Sequence, residues 1–402
     1  MNIYILSYFL RKIKQKGIIY CFVIIFNKIK HDFIFLRPWW IKAIFYKNIL
    51  CFLCTKKKTK KRLLGIWDFK ALPWSVGDPL AFVETLNVLK IQYGCEEVDI
   101  CVVFDRENPG GNRGNTNLTF ENASDYILDF LPLFSTCQFL GSILQFSSRS
   151  EYYTFIKQNI YRYTIFPPLV NHLGETYNFY GGAPFKEIFD FYTNHHYIPH
   201  LRIGKINKAR AFSFYKENLI NNHLPIVVSL KRTTHAISRN ADPRVWIKFF
   251  NLCNIKYSEF IFVIVGLREE IFVEMRVCKN VLFAKDFGTT IMDDLSLIRT
   301  SFLYMCTTSG PPTIALFSDQ PYLMFHMPKH TLRKYNIKKG DNFCFALNTQ
   351  KIFDDSIIVT PEFLFDEFTK MVTSLNKNIW YDKLSNNSNS VSTHPTANPV
   401  NK

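Results

Sequence analysis

From Leu63 onward the chain alternates short apolar runs with amphipathic stretches. Leu63–Trp67, Val98–Phe104 and Phe139–Phe146 have the length and composition of buried strands, and Leu80–Gln92 carries apolar residues at helical spacing. A turn containing Pro73, Gly77 and Pro79 separates the first strand from that helix. A strand, a helix and a second strand within roughly 40 residues make a βαβ unit, and such units build parallel sheets. The same alternation restarts at Pro225. Ile226–Leu230, Phe260–Val265, Val281–Ala284, Leu303–Cys306 and Tyr322–Phe325 read as strands. Asp242–Cys253 reads as a helix opened by an Asp-Pro cap, and a second helix starts near Asp293. Pro361–Leu375 is amphipathic.

The predicted fold class is therefore α/β, with two units at 63–205 and 206–360, a length that suits two domains. Between Tyr152 and His200 the chain is rich in aromatics and Pro with weak periodicity, and no elements are assigned there. Asn108–Asn117 is a Gly/Asn-rich loop, and residues 385–402, rich in Asn, Ser, Thr and Pro, are expected to be disordered.

Charge changes the picture of the first residues. The chain carries a formal +16, but residues 1–62 hold 15 of its 49 Lys/Arg and one of its 33 acids, a net +14 that leaves +2 for the rest. A nearly neutral body argues against a nucleic-acid binder, whose basic surface would lie on the folded domain. The same segment is rich in apolar residues, with Trp39-Trp40 and several Tyr and Phe among its Lys and Arg. Its longest uncharged run, Gly17–Phe26, is about half of the roughly 20 residues that span a bilayer. Interleaved cations and aromatics describe a segment lying on an anionic membrane surface, which would place the protein peripherally on the inner face of the plasma membrane. A cleaved signal peptide and a buried helical arm are the competing readings, although no small-residue cleavage motif follows Phe26. Lys56–Arg62 then reads as a solvated linker. The ten cysteines form neither a disulfide framework nor a zinc pattern, which fits a reducing compartment.

Three segments could carry chemistry. In Thr307-Thr308-Ser309-Gly310-Pro311-Pro312-Thr313, small polar residues link a strand to an apolar stretch of helical character, where backbone N–H groups could seat a diphosphate and Gly310 would let it approach. An ordinary strand-to-helix connection is the alternative. Ser229–Asn240 leaves a strand end and clusters Lys231, Arg232 and Arg239, cations suited to phosphate, or merely a solvated basic loop. Asp78, in the turn Ser75-Val76-Gly77-Asp78-Pro79-Leu80, is either a carboxylate base at a strand's C-terminal edge or the N-cap of the Leu80 helix. His195-His196 with His200 lacks a neighbouring acid at ligand spacing, and Pro199 breaks a helix there, so no metal site is expected. No Asp-x-Asp, phosphate-binding Gly-x-x-x-x-Gly-Lys or Gly-x-Ser-x-Gly motif occurs, and no cofactor is expected.

These segments resemble glycosyltransferases of the GT-B fold, especially the bacterial heptosyltransferase-like enzymes that build surface polysaccharide. In that family a Leu/Ile/Ala-rich helix leads into a strand and then into an Asp-Ser-Gly-Pro turn facing the sugar nucleotide. Asp293–Thr300 looks like that helix and Thr308-Ser309-Gly310-Pro311 like that turn, with Thr308 in place of the Asp and Pro312-Thr313 where Met-His is common. The Gly77-Asp78 turn resembles the one that carries the family's catalytic base. Arg239, Pro243 and Trp246 follow the order and approximate spacing of a Lys…Pro…Trp pattern. The resemblance implies two Rossmann-like domains facing a cleft, with the acceptor side on 63–205 and nucleotide-sugar binding on 206–360 through Lys231, Arg232, Arg239, Thr308, Ser309 and Gly310. A C-terminal helix, 361–384, would cross back to the first domain. The implied activity is metal-independent transfer of a hexosyl or heptosyl group from a nucleotide sugar to a glycan or lipid-linked acceptor. A catalytically silent GT-B-like scaffold at the membrane is the alternative.

Overall fold

The computed structural model describes residues 62–388 apart from 70–71, 73–74, 105–111, 114–115, 118, 120, 122, 160, 168–184, 220–222, 234–236, 335–336 and 338–341. The expected membrane-surface segment, residues 1–61, lies outside the described residues.

Strand β1 (Arg62–Asp68) is followed by helix α1 (Gly77–Gln92), β2 (Val98–Val103), a two-stranded ribbon of β3 (Asn112–Arg113) and β4 (Thr116–Asn117), α2 (Ala123–Phe134), β5 (Leu140–Phe146), α3 (Arg149–Asn159) and β6 (Tyr163–Phe166). The first sheet runs β5-β2-β1-β6 and is entirely parallel. Its central strands are buried on both faces, which is why β1 between its charged ends and β2 apart from Asp99 read as apolar runs without alternation. Trp67, Phe82 and Phe134 interlock on the face covered by α1 and α2, and Phe130 meets Phe69 beside them. Each such buried ring contributes about 1.5–3 kcal/mol relative to exposure.

Two connecting helices, α4 (Lys186–His195) and α5 (Lys205–Asn218), lead to the second sheet. That half contains β7 (Leu224–Ser229), α6 (Pro243–Lys256), β8 (Phe260–Ile264), β9 (Val281–Phe283), α7 (Ile291–Thr300), β10 (Leu303–Thr307), α8 (Thr313–Leu316), β11 (Tyr322–Met327), α9 (Lys329–Lys334), β12 (Gln350–Asp354), α10 (Pro361–Ser374) and α11 (Lys377–Ser388). The sheet order is β12-β11-β10-β7-β8-β9, again parallel throughout. Helix starts obey local chemistry. Asp242 caps α6 by accepting from Arg244 N at 2.9 Å, with Pro243 in the first turn, and Thr290 and Asp293 form a reciprocal capping box on α7. Trp246, Phe249, Phe250 and Cys253, at helical spacing, bury one face of α6.

Several expectations are corrected. Arg62 is not part of a solvated linker; it opens β1, donates to both Asp99 carboxylate oxygens at 2.7 and 2.6 Å and pairs with Glu97 at 2.7 Å. The unassigned middle holds α3, β6 and α4. Helix α4 gave no N-terminal cue because Phe185, a left-handed residue with φ 67°, precedes it instead of a capping side chain. The stretch 361–384, expected to cross back to the first domain, falls on α10 and α11. Helix α10 lies on α6, Phe368 packing against Phe249, and α11 packs on α5 with Trp380 Nε1 donating to Thr300 O at 2.8 Å. Helix α11 also runs four residues into the stretch expected to be disordered. Of the clustered histidines, His195 lies tilted against Phe191 with ring centroids 4.3 Å apart, and His196 is the left-handed residue that follows α4.

The two halves are joined through α4 and the segment after it. Phe185 meets Phe317, and Phe189 and Tyr192 meet Phe345. Leu201 N donates to Phe317 O at 3.0 Å while Arg202 N donates to Thr136 O at 2.9 Å, so this strap is bonded to both sides.

Candidate active site

In each sheet the strand order reverses direction once, between β1 and β6 in the first and between β7 and β10 in the second. Loops leaving the C-terminal edge at such a reversal diverge to opposite faces and open a crevice, the usual place for a ligand in open parallel sheets. The candidate residues fall on these loops. Asp78 follows β1, Lys231, Arg232 and Arg239 follow β7, and Thr308, Ser309 and Gly310 follow β10.

The β1 and β10 turns meet. A Cβ on Gly310 would lie 2.9 Å from Gly77 N and 3.0 Å from Val76 Cβ, and one on Gly77 would lie 3.0 Å from Thr313 Oγ1 and 3.2 Å from Gly310 Cα. Glycine is therefore required at 310 by the opposing Val76-Gly77 segment. This contact sets Asp78, the next residue along, beside the Thr308–Gly310 turn.

Asp78 is the second residue of α1, not its cap. The cap position is Val76, which makes no side-chain cap bond, and Ser75 Oγ accepts from Asp78 N at 3.3 Å while donating to the Asp78 carboxylate. The carboxylate is thus aimed by Ser75 and sits half-buried at a helix N-terminus, where the dipole favours an anion.

The opposite turn divides its polar groups. Thr308 N and Oγ1 both donate to Phe325 O, at 3.1 and 3.3 Å, so this side chain holds the turn against β11. Among the described residues the Ser309 hydroxyl and the Ser309 and Gly310 N–H groups make no hydrogen bond. The helix that follows is a single turn, Thr313–Leu316, shorter than the apolar pattern suggested, because Thr313, Ile314 and Ala315 donate back to Gly310, Pro311 and Pro312.

The basic loop is split as well. Lys231 N donates to Thr307 Oγ1 at 2.7 Å, tying the β7 and β10 loops together, and Lys231 Nζ pairs with Glu270. Arg232 reaches Ile271 O at 3.4 Å and lies 5.4 Å over Phe272. Arg239 closes the short turn Ile237–Arg239 against β11 and makes no ion pair among the described residues. It is the cation best placed to meet an anion. Trp246 is a core residue, flanked by Phe249, Phe250 and Phe325.

Two contributors escaped the sequence. Glu270 sits beyond β8 and meets Lys231 only because adjacent strands bring their C-terminal loops together. Asp294, on α7, is 5% exposed and accepts from Gly266 N at 3.2 Å and Thr289 Oγ1 at 2.8 Å while pairing with Lys285 at 3.0 Å. Burial pushes its carboxyl up to about 6 against the pull of Lys285. It fastens the start of the loop that carries Glu270. A pair of adjacent acids at a helix start was visible in the sequence; which one turned inward was not.

No family model and no curated protein sequence matches this chain. Solved structures do. ADP-heptose LPS heptosyltransferase II of E. coli superposes over 78% of this chain and 98% of its own, with a TM-score of 0.50 at 11% identity. A glycosyl transferase family 9 protein from Veillonella parvula DSM 2008 aligns over 79% of this chain and 90% of its own, with a TM-score of 0.40 at 12% identity. This is the GT-B fold. Two parallel α/β sheets whose C-terminal edges converge at the Gly77–Gly310 contact are heptosyltransferase-like in architecture, as the Asp293–Thr300 helix and the Thr308–Pro311 turn implied.

Proposed function

We propose that the protein is a glycosyltransferase that moves a sugar from a nucleotide-sugar donor to a glycan or lipid-linked acceptor. The observation that carries this reading is the contact of the two glycine turns, which sets the Asp78 carboxylate beside a turn with unused backbone donors at the switch point of the second sheet. The acceptor occupies the side formed by 63–205 and the donor the side formed by 206–360. Asp78 takes the proton of the acceptor hydroxyl as its oxygen bonds to the donor's anomeric carbon. The bond from that carbon to the phosphate oxygen breaks, and its electron pair leaves with the diphosphate. Arg239, Lys231, Arg232 and the N–H groups of Ser309 and Gly310 stabilise that charge without a metal.

Arg239→Ala is expected to weaken donor binding, because a charge-assisted contact to phosphate is worth roughly 1.5–3 kcal/mol, about 10- to 100-fold in affinity. Calorimetric titration with nucleotide sugars checks this; unchanged affinity in a folded variant removes the loop from the site. A silent scaffold is favoured by one detail only, the absence of an acid at Thr308, whose hydroxyl is turned onto β11. Saturable donor binding with no turnover on any acceptor would select that reading.

The basic segment 1–62 attaches the body to anionic membrane, a reading supported by its +14 charge and interleaved aromatics. Among the described residues no helix is long and apolar enough to cross a bilayer. Liposomes containing phosphatidylglycerol should float the full chain and leave a chain lacking residues 1–61 in the dense fraction. Equal flotation of both would place attachment elsewhere.

A further inference from the structure

The second half of the molecule bends into the left-handed region at three described positions. Two are glycines, Gly266 with φ 136° and Gly288 with φ 73°, and the third is His326 with φ 57°. A side chain at such a φ crowds its own backbone, so a histidine there is strained where glycine would be relaxed. Strain of this kind persists where the surroundings impose it, and it concentrates at functional sites.

The surroundings of His326 are those of the donor turn. It lies at the C-terminal edge of β11, inside a register break between Met324 and Met327. Its preceding carbonyl, Phe325 O, accepts from Thr308 N and Oγ1, and the sulfur of the following Met327 lies 3.9 Å from Thr308 Oγ1. The turn bearing Arg239 packs against the same strand. Of the six residues of β11, five are buried and His326 alone is partly open. His326 is therefore the one partly open residue of a buried strand, at its C-terminal edge and next to the carbonyl that holds Thr308, with Asp355 past the end of β12 as the charged group acting on its imidazole.

We propose that His326 is a donor-site residue whose imidazole donates a hydrogen bond to the phosphate oxygens of a nucleoside diphosphate seated at the Thr308–Gly310 turn. The inference rests on the donor-site reading given above. Burial holds this imidazole below the usual histidine range, with Asp355 partly opposing, so it meets the ligand as a neutral N–H donor rather than as another cation.

The test is calorimetric titration of the full chain with ADP, UDP, GDP and CDP, paired with melting temperatures, for wild type, His326→Gly, His326→Ala, His326→Asn and Arg239→Ala. His326→Gly and His326→Ala should each bind the preferred nucleotide about 10- to 100-fold more weakly. His326→Gly should melt at or above wild type because its strain is gone, and His326→Asn, which tolerates the left-handed region and keeps a donor, should lose less affinity. Wild-type affinity in His326→Gly and His326→Ala overturns the inference, as does a loss of affinity that only follows a fall in melting temperature. If Arg239→Ala weakens binding and the His326 variants do not, this inference alone falls. If wild type binds none of the four nucleotides, the donor-site reading falls with it.

Discussion

Asp78→Asn should lower turnover by about 10²- to 10⁴-fold, the usual contribution of a positioned general base, while nucleotide-sugar affinity and melting temperature stay near wild type. The affinity should survive because Asp78 lies on the β1 side of the Gly77–Gly310 contact and the donor groups lie on the β10 side. The fold should survive because Asp78 does not cap α1. Ser75 Oγ is one of its partners, and the amide oxygen of Asn can still accept that hydroxyl. Single-turnover assays with saturating donor separate chemistry from binding. A variant that keeps its rate but loses stability would make Asp78 a structural residue and send the search for the base to another loop of the first half.

The second large effect concerns stability and lies two turns further along the same helix. Glu84 is fully buried in α1; Asn87 Nδ2 donates to its Oε2 at 3.0 Å, and Oε1 has no partner among the described residues. Burial drives its carboxyl well above the usual carboxylate range, with Asn87 opposing only in part. The folded protein therefore holds Glu84 protonated at a pH where the unfolded chain releases that proton. Its contribution to stability is complete below the unfolded value, near 4.3, and declines by roughly 1.4 kcal/mol per pH unit as pH rises toward the folded value. Glu84→Gln keeps the shape and the acceptor but cannot ionise. It should match wild type near pH 4 and exceed it increasingly from pH 5 to 8 in denaturant titrations. A difference that does not change with pH would mean that Glu84 is not protonated in the folded state.

The strands and helices that build the two sheets were legible in the sequence because parallel sheets are covered on both faces. Leu63–Trp67 and Leu303–Cys306 hold no charged residue and Val98–Phe104 only Asp99, a pattern that little else in an α/β chain produces. Helix starts were legible where a side chain caps them, as Asp242 does for α6. They were illegible at α4, where the left-handed Phe185 stands in the cap's place and packs against Phe317, 132 positions later in the chain. Strand β6 is four residues long and too short for any periodicity to register.

For the candidate site, the sequence by itself pointed to three loops at strand ends: Gly77-Asp78 after a first strand, the cations from Lys231 to Arg239 after a seventh, and Thr308-Ser309-Gly310 after a tenth. Each is a local arrangement of small, acidic or basic residues at a strand end, and local arrangements are written in consecutive positions. Only the tertiary structure decided which groups are spent and which are free. Thr308 is held by Phe325 O, the Lys231 side chain is paired with Glu270 at the edge of the site, and position 310 is kept glycine by the backbone of Gly77. Arg239 and the Ser309 donors are left for a ligand, and Glu84, an ordinary helix residue by sequence, becomes a buried acid. These outcomes depend on pairings across tens to hundreds of positions, set by sheet order and by the packing of one half on the other. No window of neighbouring residues contains that information.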